Sequence, residues 1–130
     1  MTPASMRRAT RRTLGIQAAY YAVSGLWPLL SLASFEAVTG PKVDDWLVRM
    51  VGLLAVVIGL SLARAAAAGR LLPETLLLSV GAAAAFAAID VRYALGGRIS
   101  PIYLADAVVE VAFAAVVLGT ARRPHRAARG

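Results

Sequence analysis

Arg49, Asp90, Asp106 and Glu110 are ionisable side chains set within otherwise apolar stretches of this chain. Charge is costly in apolar surroundings, so each such residue demands a partner or a function. Asp106 and Glu110 stand at i and i+4, which puts both carboxylates on one face of a helix. A guanidinium binds carboxylates in a bidentate fork and keeps its charge, so Arg49 is the natural partner. One cation against three acids leaves two negative charges uncompensated. Like charges cannot all ionise in a poorly solvated site, so one acid is expected to hold a proton, and Glu110 is the choice. Three chemistries suit this set. They are ion pairing that locks helices together, a chamber for a ligand or ion, and acid–base catalysis by paired carboxylates.

The elements that position these residues are readable from hydropathy. A bilayer-crossing helix needs about 20 mostly apolar residues. Four segments qualify, at 14–35, 46–68, 71–95 and 101–121. Gly40-Pro41 turns the chain between the first two, and Pro73 suits the first turn of the third. Gly96-Gly97 stops the third, and Pro101 opens the fourth. At the helical rise, Arg49, Asp90 and Asp106 lie about 5–8 Å inside the outer boundary, with Glu110 about 13 Å in. A stripe of polar and small residues runs along each segment. It holds Gln17, Tyr20, Ser24, Trp27 and Ser31 on the first, and Arg49, Gly52, Val56, Gly59 and Ala63 on the second. Ser79, Ala83, Phe86, Asp90 and Tyr93 form it on the third, and Tyr103, Asp106, Glu110 and Ala114 on the fourth. Polar groups avoid lipid, so these stripes are expected to face one another. The expected chamber opens outward and is lined by Arg49, Asp90, Asp106, Glu110, Tyr93, Tyr103, Trp27 and Tyr20, with Glu36 and Arg92 at its rim. Glu74 begins the third segment, where the helix dipole favours an acid.

Composition restricts the class. Of 130 residues, 59% are AVILMFWYC and 16% are charged. A typical soluble domain has about 45–50% apolar and 25% charged residues. Mean hydropathy is +0.69. Residues 51–63 and 75–89 carry no charge on any face, whereas a soluble helix keeps a charged side. With no Cys and one His, His125 in the Arg-rich tail, no thiolate, disulfide, haem or multi-His metal chemistry is expected, and no cofactor. The net charge of +7 comes without a basic helix or aromatic platform, so nucleic acid is not an expected partner.

The basic residues instead mark segment ends. Arg7, Arg8, Arg11, Arg12, Arg64, Arg70, Arg122, Arg123, Arg126 and Arg129 fall on one side, against Lys42, Arg49, Arg92 and Arg98 on the other. The positive-inside rule then puts both termini in the cytoplasm. The expected organisation is a basic segment at 1–13, a four-helix membrane bundle at 14–121, and a basic tail at 122–130. The run Thr10-Arg11-Arg12-Thr13-Leu14 is similar to a twin-arginine export signal. No small-x-small cleavage site follows it and three further spans do, so positive-inside flanking is the better explanation.

The stretches SFEAVTGPKVDDWLVRMVGLLAVVIGL and DVRYALGGRISPIYLADAVVEVA resemble a group of small bacterial four-span membrane proteins. More loosely, the layout is similar to the DoxX-like membrane proteins, with Arg49 and Gly52 opening the second helix and acids in the fourth. The resemblance implies a multi-pass protein of the bacterial inner membrane, acting as an accessory or redox-associated subunit. Three functions are therefore open. The first is non-enzymatic binding of a small amphipathic ligand or a membrane-protein partner. The second is proton- or cation-coupled transport by an oligomer. The third is an intramembrane isomerase-type enzyme using paired carboxylates. Gly- and Ala-rich helices of this kind also favour a homo-oligomer.

Overall fold

The computed structural model describes residues 6–122, with the side chain of Arg122 outside that description. His125 and most of the basic tail therefore lie beyond the described residues. Among these, the fold is all-helical: α1 (Arg8–Leu30), α2 (Leu32–Thr39), α3 (Asp45–Ala68), α4 (Pro73–Leu95) and α5 (Ile102–Arg122). Three helices, α3, α4 and α5, are long and apolar enough to cross a membrane, or four spans if α1 and α2 are counted as one bent span.

The first segment differs from the single span drawn from hydropathy. It starts at Arg8, and it breaks at Ser31, where α2 turns away from α1 by 115°. The cause is local. Pro28 lies within α1 and cannot donate to the ladder. Ser31 then leaves helical geometry and accepts from the Ser34 amide at 3.4 Å, capping a new helix. The bend carries Phe35 back against Trp27, with ring centroids 5.4 Å apart, and Trp27 Nε1 donates to Ser34 Oγ at 2.9 Å.

The other boundaries follow ordinary capping. Gly69 adopts a left-handed conformation at φ 70° and closes α3. Pro73 and Glu74 open α4. Both ends of the described chain meet at one end of the bundle. There Thr10 Oγ1 donates to Thr120 Oγ1 at 2.8 Å, and the Met6 amide donates to the Gly69 carbonyl at 2.7 Å.

Packing divides the helices into two close pairs, α1 with α3 and α4 with α5, joined mainly through α1. The α1–α3 contact is made backbone to backbone. A methyl group on Gly52 would lie 2.6 Å from the Gly25 carbonyl oxygen, and one on Gly59 would lie 2.7 Å from that of Ala18. Small residues thus permit a close backbone approach with extensive van der Waals contact. Near the terminal end, Leu14, Ala18, Tyr21, Leu62, Ala66 and Val117 form an apolar core. Elsewhere Leu, Val and Ile point outward, including Leu30, Leu53, Leu60, Leu77, Val108 and Val111, while Gln17, Ser79, Asp90 and Glu110 are buried. That distribution inverts the one water-soluble bundles use.

Candidate functional site

The site is built from three helices. On α1, Gln17, Tyr20 and Tyr21 occupy one turn. Gln17 reaches Tyr20 by the i+3 step and Tyr21 by the i+4 step, so two phenols point to the same side. On α4, Ser79 and Asp90 lie on the buried face together with Ala83 and Ala87. On α5, Asp106 and Glu110 are one turn apart. The i, i+4 pairing holds, and the third acid joins it, because Asp90 and Asp106 lie within hydrogen-bonding reach of each other.

The donors can be accounted for one by one. Tyr21 Oη donates to Glu110 Oε2 at 2.5 Å. Tyr20 Oη donates to Asp106 Oδ1. Gln17 Nε2 donates to Tyr21 Oη at 3.2 Å and to the Ser79 carbonyl at 3.0 Å. Ser79 Oγ donates to Gln17 Oε1 at 2.6 Å. Every donor around the acids is thus engaged, yet Asp90 Oδ2 is buried and meets no donor. The rings pack edge to face beside this network. Tyr20 lies 5.6 Å from Phe113, and Tyr21 lies 5.4 Å from Phe86.

Exposure gives the site a direction. Glu110 is 1% exposed and Asp90 5%. Tyr20 and Asp106 are only half-buried. The network therefore reaches the molecular surface at the Tyr20–Asp106 hydrogen bond between α1 and α5. Towards the terminal end, the Gln17–Ser79 bonds and the Leu14, Leu62 and Val117 side chains fill the bundle.

The remaining residues named from sequence lie elsewhere. Arg49 is exposed on α3, and the expected Arg49–carboxylate pair is not formed. The reason is helix placement, because α3 packs on α1 and barely meets α4 or α5. Tyr93 is exposed, with the Arg92 guanidinium 6.0 Å from its ring centre, so both lie outside the cluster. Trp27 contacts α2 rather than the acids. Tyr103 is half-buried under Lys42, whose Nζ stands 5.1 Å from its ring centre. Lys42 also donates to the Thr39 and Gly40 carbonyls at 3.0 and 2.9 Å, which ties down the end of α2.

Glu36 belongs to a separate pair with Asp45. Hydrogen bonding to Asp45 holds the Glu36 carboxyl above the ordinary carboxylate range, burial adds to this, and Lys42 opposes it. Three residues of the network, Gln17, Tyr21 and Ser79, were not in the site expected from sequence, although Gln17 and Ser79 were on the expected inward stripes. The legible signal for Tyr21 was its i+4 spacing from Gln17.

Among the described residues, no group of three His, Cys, Asp or Glu side chains is placed to hold a metal ion. A shallow groove of about 710 Å³ runs beside Ala87, Ala88, Val91, Arg92 and Leu95 of α4, and none of the three acids lines it. No family model, curated protein or solved structure matches this chain.

Proposed function

We propose that this chain is a four-span membrane protein with both termini on the cytoplasmic side. Its non-enzymatic role is to bind a small amphipathic ligand at the α1–α4–α5 polar site. The carrying observation is Asp90 Oδ2, a buried acceptor beside two further acids that no protein donor satisfies. Buried polar groups normally have partners, and an orphan of this kind marks a missing one. The half-buried Tyr20 and Asp106 support entry from the side, between α1 and α5, where a head group could reach the acids while its tail stays in lipid. The outward-facing Leu, Val and Ile residues support burial of the bundle in lipid. The ten-to-four bias of basic residues supports the orientation. α2, eight residues long and bent away, suits a position across the outer end.

The apolar packing below Gln17 and Ser79 favours a site open on one side over a conduit. This ranks coupled transport second.

Photolabelling tests the reading. A twelve-carbon alcohol carrying a diazirine is added to protein in phosphatidylcholine nanodiscs and irradiated. Adducts are expected on peptides bearing Tyr20 or Asp106, and an excess of unlabelled alcohol should suppress them. Labelling spread over the lipid-facing helices and insensitive to competitor rejects the site.

A further inference from the structure

The donor and charge inventory of the site says more about its ligand. Asp90, Asp106 and Glu110 converge from α4 and α5, and no Lys, Arg or His side chain makes an ion pair with any of them among the described residues. Apart from the Asp90–Asp106 contact, the donors to them are two phenols, both already engaged. Asp90 is 95% buried (5% exposed), aimed at Asp106, and keeps one oxygen without a donor. The missing group is therefore a donor, and with no basic side chain paired to the acids, a cation suits whichever carboxylates remain ionised. Aromatic rings of Tyr20, Tyr21, Phe86 and Phe113 pack around the same interior, at centroid separations from 5.4 Å (Tyr21–Phe86) to 6.5 Å (Tyr21–Phe113). Ring faces add attraction for an ammonium group, most strongly where water is excluded.

From this inventory we infer that the ligand is a lipophilic ammonium, a protonated primary amine on an apolar chain. The inference rests on the amphiphile-binding reading above and specifies its head group. An ammonium brings three donors and no acceptor. It can reach Asp90 Oδ2 and Asp106 together, with Tyr20 swinging off Asp106 to admit it. An alcohol brings one donor but no charge, and a fatty acid adds a further negative charge. Charge-assisted hydrogen bonds are about twice as strong as neutral ones, so the amine should outbind the alcohol by about ten- to hundredfold.

The experiment is a head-group panel at constant tail length. The full chain is placed in phosphatidylcholine nanodiscs, and its thermal unfolding midpoint is followed against the bilayer mole fraction of dodecylamine, dodecanol or dodecanoic acid. The expected result is saturable stabilisation by dodecylamine at about ten- to hundredfold lower mole fraction than by dodecanol, with none by the acid. Asp90→Asn carries its own donor and should bring the amine and alcohol within about threefold of each other, since the charge-assisted bond is lost. Should that variant fail to fold, Asp106→Asn replaces it, and the panel on the unsubstituted chain decides by itself. Equal binding of amine and alcohol overturns the ammonium assignment while the amphiphile site survives. No saturable effect from any of the three removes both. Retained amine preference in a folded Asp90→Asn protein also overturns the assignment.

Discussion

Gly52→Ala perturbs the close backbone contact between α1 and α3 by one methyl group. The added Cβ would lie 2.6 Å from the Gly25 carbonyl oxygen and 3.3 Å from Pro28 Cγ. Carbon–oxygen contacts settle at about 3.3–3.6 Å, so α1 and α3 must part by about 0.7 Å or more. Neither obstacle is a flexible side-chain end, since one is backbone and the other a proline ring, so local relaxation is small. An opening of about 0.5–1 Å forfeits a quarter to a half of each dispersion contact, and the gap is too narrow for an acyl chain to fill. For a patch with the contacts of one buried Leu, that amounts to about 2–4 kcal/mol. Gly15→Ala, on the partner helix α1, is the internal control, because its Cβ would meet nothing within 4 Å. Gly-to-Ala there should be neutral or stabilising by up to about 1 kcal/mol. Reversible unfolding in dodecylmaltoside–SDS micelles, followed by tryptophan fluorescence, measures both. Equal midpoints for Gly52→Ala and Gly15→Ala would refute the backbone-to-backbone contact and the pairing of α1 with α3.

Hydrogen-bond deletions in the site should be milder and ordered by burial, in the same assay. Ser79→Ala should cost about 0.6–1.7 kcal/mol, the range of interhelical hydrogen bonds in membrane bundles. Tyr21→Phe should cost about 1–3 kcal/mol, because it leaves the 1%-exposed Glu110 carboxyl without a donor. Tyr20→Phe should cost less than Tyr21→Phe, since half-buried Asp106 can recruit water. The Glu36–Asp45 pair predicts a pH effect at the opposite end. The folded-state pKa of Glu36 is raised, so its protonated form favours the folded contact. That contribution is complete below the unfolded pKa of about 4.3 and is lost as pH rises through the higher folded value. Amide protection of residues 32–39, corrected for intrinsic exchange, should therefore fall as pH rises from 4 to 7 and level off in Glu36→Gln. An unchanged slope in Glu36→Gln would reject the contact.

Much of the architecture was legible because uninterrupted apolar length is a strong signal. Residues 46–68, 71–95 and 101–121 nearly coincide with α3, α4 and α5. The break at Ser31 was less visible, because a serine N-cap after Pro28 is weak punctuation inside an apolar run. The i, i+4 relation of Asp106 and Glu110 was readable because it is local to one helix. The exposure of Arg49 was not, because it depends on which helices pair, and a stripe of Gly52 and Gly59 fits any small-residue neighbour equally well. The Gln17–Ser79 and Tyr21–Glu110 bonds span 62 and 89 residues of sequence, which no periodicity reports.

Ligand-induced infrared difference spectroscopy tests the central claim most directly. Dodecylamine is added to the reconstituted protein, and the carboxyl and carboxylate bands are compared before and after. Occupation of the α1–α4–α5 site predicts a difference signal in those bands that saturates with ligand and loses components in Asp90→Asn and Asp106→Asn. Saturating amphiphile that leaves the bands of all three acids unchanged would contradict the account.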